Sequence, residues 1–537
     1  MIGARTVRLL GWGLLGAVLF AACGRGETGS AQTTTSAPRP RAGGALVVGI
    51  DAESDGYNPV TKRFAQAGHL VASAVFDPLA TLDERGDWKP FLAESIEPSD
   101  DYRVWTVRLR PGIRFHDGTP LNAEAIKKVW DMHFRSLVTS QTVQQIEKVE
   151  VADELTVRFH LKRRWVRFPL ILTTQVGYAM APSMLTDPAS GGRPVGTGPF
   201  VFDEWDMNRA WRGKRNPDYW RKDRFGNRLP YVDSIEFRII VDAFERNRAL
   251  LRGDVDLIYT LRPAAILDLR EKDVAVLEYD RGDERLIALN TSKPPFDNVH
   301  ARRALAYATD QRRLIREIHR GVYPPANGPF APGQLGYRKE TGYPSYDPEK
   351  AAEELRLFRE QTGRDRLAFT YSASEDVDNV QMVQFLQDMW SGAGIETKIE
   401  AVPQAEVIFR AVTGQYEAVD WRNWAFRDPD GDYQWWHSSG VRPLEQGISL
   451  NVARFSDEEI DRALDAARES TDDEERDGMY AKVAERFGEE VPYIWLGRVR
   501  WAIAAKKGLH GYETAVENGT VATLTSKTWI AEIWHGN

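Results

Sequence analysis

Cys23 is the only cysteine in a chain of 537 residues, so the fold must be held by burial and hydrogen bonding, without a disulfide framework. The cysteine follows two arginines, Arg5 and Arg8, and an uncharged, mostly apolar run from Leu9 to Ala22 that ends in Ala21-Ala22. A basic segment, a short apolar segment and small residues before a cut predict a secretory signal over residues 1–22. The run is shorter than the roughly 20 apolar residues that span a bilayer, so it predicts export and not a permanent anchor.

Cleavage ahead of Cys23 resembles the lipobox of bacterial lipoproteins, with Phe20 standing where that pattern usually has Leu. The resemblance implies acylation of Cys23 and a mature chain with no thiol. Residues 23–42 are then a lipidated tether of Gly, Ser, Thr, Pro and Ala that buries too little to offset its chain entropy. The remainder, in a chain with 42% hydrophobic and 11% aromatic residues, predicts several cores and about two to four domains. Without Arg5 and Arg8 the 70 basic residues become 68 against 78 acidic ones, a net charge of −10. The signs are interspersed and no long basic block occurs, which argues against nucleic acid and anionic lipid as partners. No second stretch is long and apolar enough for a membrane span, so any membrane association is through the N-terminus.

Two periodicities mix along the body. Gly43 to Ile50 reads as a buried strand bounded by glycines. Residues 101–115 alternate Tyr102, Val104, Thr106 and Arg108 against Trp105, Val107 and Leu109, a half-buried strand ended by Pro111-Gly112. Val149–Val151 and Leu155–Leu161 predict a hairpin. Residues 301–320 carry Ala304, Leu305, Ala308, Leu314, Ile315 and Ile318 near helical spacing, with Gly321 as the stop. Ser456-Asp457-Glu458-Glu459 and Thr471-Asp472-Asp473-Glu474 look like capping boxes opening two further helices. Strands and helices alternate without a fixed repeat, so the class is mixed α/β or α+β with several domains.

Enzyme signatures are absent from the sequence: no Gly-x-Ser-x-Gly elbow, no Walker A loop, no His-Glu-x-x-His and no mature cysteine nucleophile. Gly196-Thr197-Gly198-Pro199 lacks an amide donor at its proline and predicts a tight crossover, not a phosphate cradle. The nine histidines show no paired ligand spacing, so no metal site is expected. Asp428-Pro429-Asp430-Gly431-Asp432 fails as a calcium loop, because Tyr433 and Ser439 stand where Gly and Glu are needed. The stretch from Asp420 to Gly440 remains. It concentrates Trp421, Trp424, Phe426, Tyr433, Trp435 and Trp436 among carboxylates and turn formers, the mixture of rings and charged anchors that a cleft needs to hold a polar organic ligand.

Ordered signatures run through nearly the whole body. Residues 75–131 hold Phe76-Asp77-Pro78-Leu79 and KPFLAESIEPSDDYRVWTVRLRPGIRFHDGTPLNAEAIKKVWD. Gly196–Phe200, Asn216–Trp220, Leu250–Asp256, Pro294–Asp297, Val299–Asp310, Tyr346–Ala351 and Asn451–Pro492 follow. The chain thereby resembles the extracytoplasmic solute-binding proteins of ABC importers, family 5, the peptide and nickel type. The resemblance implies a two-lobe periplasmic-binding-protein-like fold (class II, large) with an extra domain inserted in lobe one. Lobe I would comprise 43–80, 190–285 and 500–537, the inserted domain 81–189, and lobe II 286–499, with the chain crossing near Ala288–Asn290 and Leu496–Val499. It implies ligand contacts from Gln66 and His69, ahead of the Phe76–Leu79 strand, and from the loop beginning at Trp421. Peptide binders of the family carry an Asp shortly after a Trp of that loop, to pair with the peptide amine. Here Ala425, Phe426 and Arg427 follow Trp424, so the matching position holds a guanidinium, which cannot hold an ammonium. Unless Asp428 takes that role, an anionic or sugar-like ligand is expected.

The ligand-binding set implied is Gln66, His69, Trp421, Trp424, Arg427, Asp428, Asp430, Tyr433, Trp435 and Trp436. No catalytic residue, cofactor or metal is expected. The expected partners are a small molecule or peptide, an ABC permease and its ATPase subunits, and a membrane through the N-terminal lipid alone; the chain would act as an extracytoplasmic monomer. Two rival readings stay open: a secreted glycoside hydrolase with Asp428 and Asp430 flanking a sugar, and a signalling lipoprotein that kept the fold without transport.

Overall fold

The computed structural model describes residues 39–83, 85–187, 189–423, 425–513 and 529–536. The signal peptide, Cys23, most of the tether and Trp424 lie outside the described residues.

Strand β1 (Ala45–Ile50) is covered on both faces, with Leu46, Val48 and Ile50 in one core and Val47 against another; this is why it reads as a continuous apolar run. The wholly buried helix α1 (Gln66–Val75) follows, then the ribbon of β2 (Ala80–Leu82) and β3 (Trp88–Pro90). A separate antiparallel sheet comes next, built from β4 (Ala93–Pro98), β5 (Val104–Leu109), β6 (Ile146–Val151) and β7 (Thr156–Leu161) in the order β4-β5-β7-β6. Helix α2 (Ala123–His133) shares with it a core containing Trp105, Val107, Ile126, Trp130 and Phe159. The strand, turn and cap legible at 101–125 are present: Gly118 adopts φ +83°, and the Asn122 side chain accepts from the Ala125 amide at 2.9 Å, supplying a partner that the first helical turn lacks. The expected hairpin is β6–β7, with Val151 opposite Val157.

The chain returns through Gly196-Thr197-Gly198, where a Cβ on Gly198 would stand 2.5 Å from the Val75 carbonyl carbon. It then forms β8 (Phe200–Asp206), β9 (Ala210–Arg215), β10 (Ser234–Ile239), α3 (Ala243–Arg252), β11 (Leu257–Thr260), α4 (Pro263–Arg270) and the long β12 (Ala275–Leu289). Helices α5 (Val299–Tyr307), α6 (Gln311–Glu317) and α7 (Pro348–Thr362) precede β13 (Ala368–Ser374), α8 (Val377–Gly392), β14 (Glu396–Val402), α9 (Gln404–Thr413) and β15 (Ala418–Arg422). The short α10 (Tyr433–Trp436), α11 (Glu458–Glu469) and α12 (Asp473–Glu490) lead into β16 (Tyr493–Ala505). The single helix expected over 301–320 is two, because Asp310 accepts from the Arg313 amide at 2.9 Å and starts α6 afresh. The caps of α11 and α12 are Asp457 and Asp472, one residue beyond the serine and threonine that the capping-box pattern pointed to.

Ten strands form one sheet in the order β14-β13-β15-β12-β16-β11-β1-β10-β9-β8. Only the antiparallel pair β12 and β16 runs through both of its halves, from Ala275 opposite Ala505 to Ala288 opposite Tyr493. Their register breaks between Asp280 and Glu284 and again between Arg285 and Leu286. Gly282 (φ +85°) and Gly497 (φ +142°) sit at that break in conformations that L side chains rarely adopt. The first crossing therefore lies a few residues ahead of the expected Ala288–Asn290, since Ala288 and Leu289 already pair with Val419 and Ala418 of β15. In the second half, Leu286 and Ala288 enter one core and Ile287 and Leu289 the other, on opposite faces of the same strand.

Candidate functional site

The break in β12 and β16 is also where charged side chains gather. Arg285 of β12 and Arg422 of β15 are directly opposite each other in an antiparallel pair. Arg285 donates to Asp420 at 2.7 Å and to Asn379 of α8 at 2.6 Å. Burial lifts the Asp420 carboxyl to about 6, although Arg285 opposes the shift. Arg422 has no such partner: its guanidinium lies 5.0 Å from the centre of the Trp501 ring. Trp501 donates in turn to Asp283 at 3.0 Å and stacks on Tyr279 with planes 8° apart. His319 is held neutral, its pKa pulled to about 3 by burial and by Arg285, and packs against Tyr323 at 4.5 Å between ring centres.

A second guanidinium enters from the segment ahead of α1. Arg63 is solvent-exposed. Its guanidinium lies 5.5 Å from the centre of the Trp435 ring, and Trp435 leans on Trp421 at 6.3 Å. Gln175 fixes the backbone on both sides of Arg63: its amide nitrogen donates to the carbonyls of Pro59 and Lys62 at 2.7 and 2.6 Å, and its oxygen accepts from the Phe64 amide at 3.2 Å.

Contacts between the two halves of the molecule include Arg63 with Trp435, Arg422 with Trp501, Arg262 with Asp376 (3.0 Å) and Asp378, and the Tyr323 hydroxyl with the Leu261 carbonyl (2.7 Å).

The residues anticipated from sequence divide sharply. Trp421 and Trp435 stay half-buried beside each other, with Arg63 over the Trp435 ring. Gln66 and His69 are buried on α1, and His69 Nδ1 lies 3.2 Å from the Tyr178 hydroxyl. The other polar members are engaged elsewhere. Both Asp428 oxygens meet arginines, Arg476 at 2.5 Å and Arg167 at 3.1 Å, which takes from Asp428 the role of amine receptor that Arg427 had left to it. Asp430 holds Arg468 and Trp165, each at 2.6 Å. Tyr433 donates to Asp465 at 2.6 Å under the Arg468 guanidinium, and Trp436 packs among Phe487, Tyr493 and Trp495. Arg427 is exposed and lies over Gly86 beside β3. Arg63, Arg285, Arg422 and Trp501 were not singled out from sequence; arginines beside ordinary polar or strand residues carry no local signal, and only the tertiary fold brings them together.

Two lobes joined by a crossing strand pair, with rings and cations converging at the crossing, define the class of two-lobed solute receptors. A family model for bacterial extracellular solute-binding proteins, family 5 (middle region), matches residues 87–443, and the chain belongs to that family. The glutathione-binding protein GsiB of Pectobacterium atrosepticum is 28% identical over 459 residues, covering 82% of this chain and 86% of the relative. Among solved structures, the periplasmic binding protein AgaA of Agrobacterium tumefaciens R10 in complex with agropinic acid superposes with a TM-score of 0.83 at 25% identity, covering 92% of this chain and 99% of its own. The ABC transporter-associated protein DppA of Helicobacter pylori, in complex with the peptide STSA, shares the fold with a TM-score of 0.82 at 21% identity, covering 93% and 99%. The chain is an extracytoplasmic substrate-binding component of an ABC importer, which captures a small polar solute between its lobes and delivers it to the permease.

Proposed function

We propose that the solute sits in a cleft between the lobes, near Arg63, Trp421, Trp435, Arg422 and Trp501, and that the protein releases it chemically unaltered. In this reading one lobe comprises 43–80, 190–285 and 500–537, the other 286–499, and residues 81–189 form an added domain. The mature chain acts as a monomer tethered to the membrane through acylated Cys23. The observation that carries the reading is the pair of arginine–tryptophan contacts, each made between residues that this division assigns to opposite lobes. A solute bound there replaces water on both sides at once and favours closure. The engagement of Asp428 and Asp430 by arginines leaves a glycosidase without its pair of free carboxylates.

Calorimetry against a solute panel tests the site. Trp435→Ala should weaken binding about tenfold, in the range of one lost aromatic contact, while shifting the melting temperature by no more than a few degrees. Turnover of a bound compound, or unchanged affinity in that variant, would refute the reading. Cys23→Ser should move the protein from the membrane fraction to the soluble one.

A further inference from the structure

We propose that the protein holds a second, smaller site outside the cleft between the lobes, and that this site takes a small organic acid with a compact apolar body, its carboxylate received by Arg110 and Lys89.

The site is a cavity of about 230 Å³ where the β2–β3 ribbon meets the residue just beyond β5, the segment between β9 and β10, and the C-terminal segment. Its described lining includes no residue from 286–499 and none of the five residues placed near the solute above. A ligand there is held apart from the one between the lobes. Leu82, Pro90, Phe91 and Trp220 supply apolar wall, while Lys89, Arg110 and Arg221 bring three positive charges against one acid, Glu532.

The charges do not cancel within the cavity. Glu532 is taken by Arg221 at 2.5 Å. Arg110 meets no acid: its Nε donates to the Phe91 carbonyl at 2.8 Å, and among the described residues its other guanidinium nitrogens have no hydrogen-bond partner. Lys89 is exposed, and among the described residues its ammonium makes no hydrogen bond and no ion pair. An unpaired surface lysine is ordinary by itself, but this one shares a concave space with an arginine that is fixed in place.

Rings do the fixing. The Arg110 guanidinium lies 5.3 Å from the centre of the Trp220 ring, the Arg221 guanidinium 5.3 Å from that of Phe91, and the two rings meet edge to face at 5.2 Å. The Trp220 indole N–H donates to buried Asp77 at 2.9 Å, which sets the ring from behind. Stacking uses the face of a guanidinium and leaves the N–H groups at its edge for the two oxygens of a carboxylate. The apolar wall calls for an apolar body on the same ligand, since a bare inorganic ion would leave it unused. The volume falls below the roughly 300 to 1,000 Å³ of pockets for drug-sized ligands, which limits the body to about one ring.

The test is fluorine NMR of 4-fluorobenzoate with the full mature chain and its variants. The probe should broaden with the wild type, and the neutral 4-fluorobenzamide should bind about tenfold more weakly, the loss expected of one charged hydrogen bond. That comparison needs the wild type alone and does not depend on how a variant folds. Affinity for 4-fluorobenzoate should fall about tenfold in Arg110→Gln and less in Lys89→Gln, and should recover in part in Arg110→Lys. Acetate, which has the acid group without the ring, should displace the probe far less effectively than benzoate. Trp435→Ala alters the cleft and should leave the probe's affinity unchanged. A wild type that does not broaden the probe, an amide that binds as tightly as the acid, acetate as effective as benzoate, or unchanged affinity in Arg110→Gln overturns the proposal. Loss of probe binding in Trp435→Ala also overturns it, by placing the acid in the cleft, and leaves the reading of the cleft intact.

Discussion

Trp165 donates its indole N–H to Asp430 across 2.6 Å while the other Asp430 oxygen takes Arg468 at 2.6 Å. This is the centre of a seam between the segment that follows β7 and the helices α11 and α12. On either side of it Arg164 donates to the Glu469 carbonyl, Arg163 pairs with Asp465, and Arg167 bridges Asp428 and Asp473. Asp430 is 3% exposed and Arg468 6%, so removing the acid leaves a cation stranded in the interior. Asp430→Ala should cost about 3 to 5 kcal/mol of stability, read by urea unfolding. Solute affinity in the surviving folded fraction should be unchanged; a loss of affinity without loss of stability would return Asp430 to the binding site.

Arg262, which follows β11, reaches the N-terminus of α8 and meets Asp376 at 3.0 Å and also Asp378. Asp376 is already the cap of α8, accepting from the Asn379 amide. The pair is only part-buried, about a third exposed on each side, so its worth is about 0.2 to 1 kcal/mol. Since it joins the segment after β11 to the N-terminus of α8, in what this reading takes as opposite lobes, that amount is assigned here to closure. Arg262→Ala should weaken solute affinity by roughly twofold to fivefold and enlarge the radius of gyration of the liganded protein by X-ray scattering, with little change in melting temperature. An unaltered scattering profile and affinity would show that the clasp does not bias closure.

The sequence made the scaffold legible wherever a local rule decides structure: the Asn122 cap, the Asp117-Gly118 turn and the β6–β7 alternation are contained within a few residues each. It also made Gly198 legible, as a place where backbone must approach backbone. Local rules failed where partners come from afar. Asp428 and Asp430 look like free anchors in a loop because their arginines lie at positions 167, 468 and 476. Arg63 reads as a solvated charge in a polar segment and is exposed, yet nothing within ten residues says that its guanidinium will lie by Trp435. Aromatic density around 420–440 does not say which rings face solvent: Tyr433 and Trp436 are buried and Trp421 and Trp435 half-buried. Periodicity cannot sort rings in a segment too irregular to have a period.

Buried titratable groups give the stability a pH dependence of two signs. Asp77 is fully buried and its carboxyl is raised to about 7 by burial, against the pull of the Trp220, Tyr219 and Thr197 donors at 2.9, 3.0 and 3.2 Å. From about pH 4 to 7 the folded chain holds a proton there that the unfolded chain has released, so this group's contribution falls as pH rises through that window. His133 runs the other way: burial lowers it to about 3, so its contribution is present above pH 6.5 and is lost as pH falls toward 3. The stability advantage of wild type over Asp77→Asn should therefore shrink by about 1 to 3 kcal/mol between pH 5 and pH 8, measured by urea unfolding. An advantage that stays level over that range would place an ionised Asp77 in the folded state at both pH values.

Gln175 offers the sharpest separation of positioning from contact. Its three hydrogen bonds all go to backbone groups at 59, 62 and 64, and none to the Arg63 guanidinium. Gln175 sits in the loop beyond β7, more than a hundred residues from the segment it restrains, so the restraint is tertiary and disappears with the amide. Gln175→Leu keeps the side chain's bulk and removes every donor and acceptor. The Pro59–Phe64 backbone then regains freedom worth about 1 kcal/mol per residue released, and the solute must bear the cost of ordering Arg63 on binding. Affinity should fall roughly tenfold through faster dissociation, by stopped-flow quenching of tryptophan fluorescence, while the chemical selectivity of the cleft stays as in the wild type. If Gln175→Leu alters which solutes are retained, then Gln175 touches the solute directly; if it alters neither rate nor affinity, the segment carrying Arg63 is rigid without it.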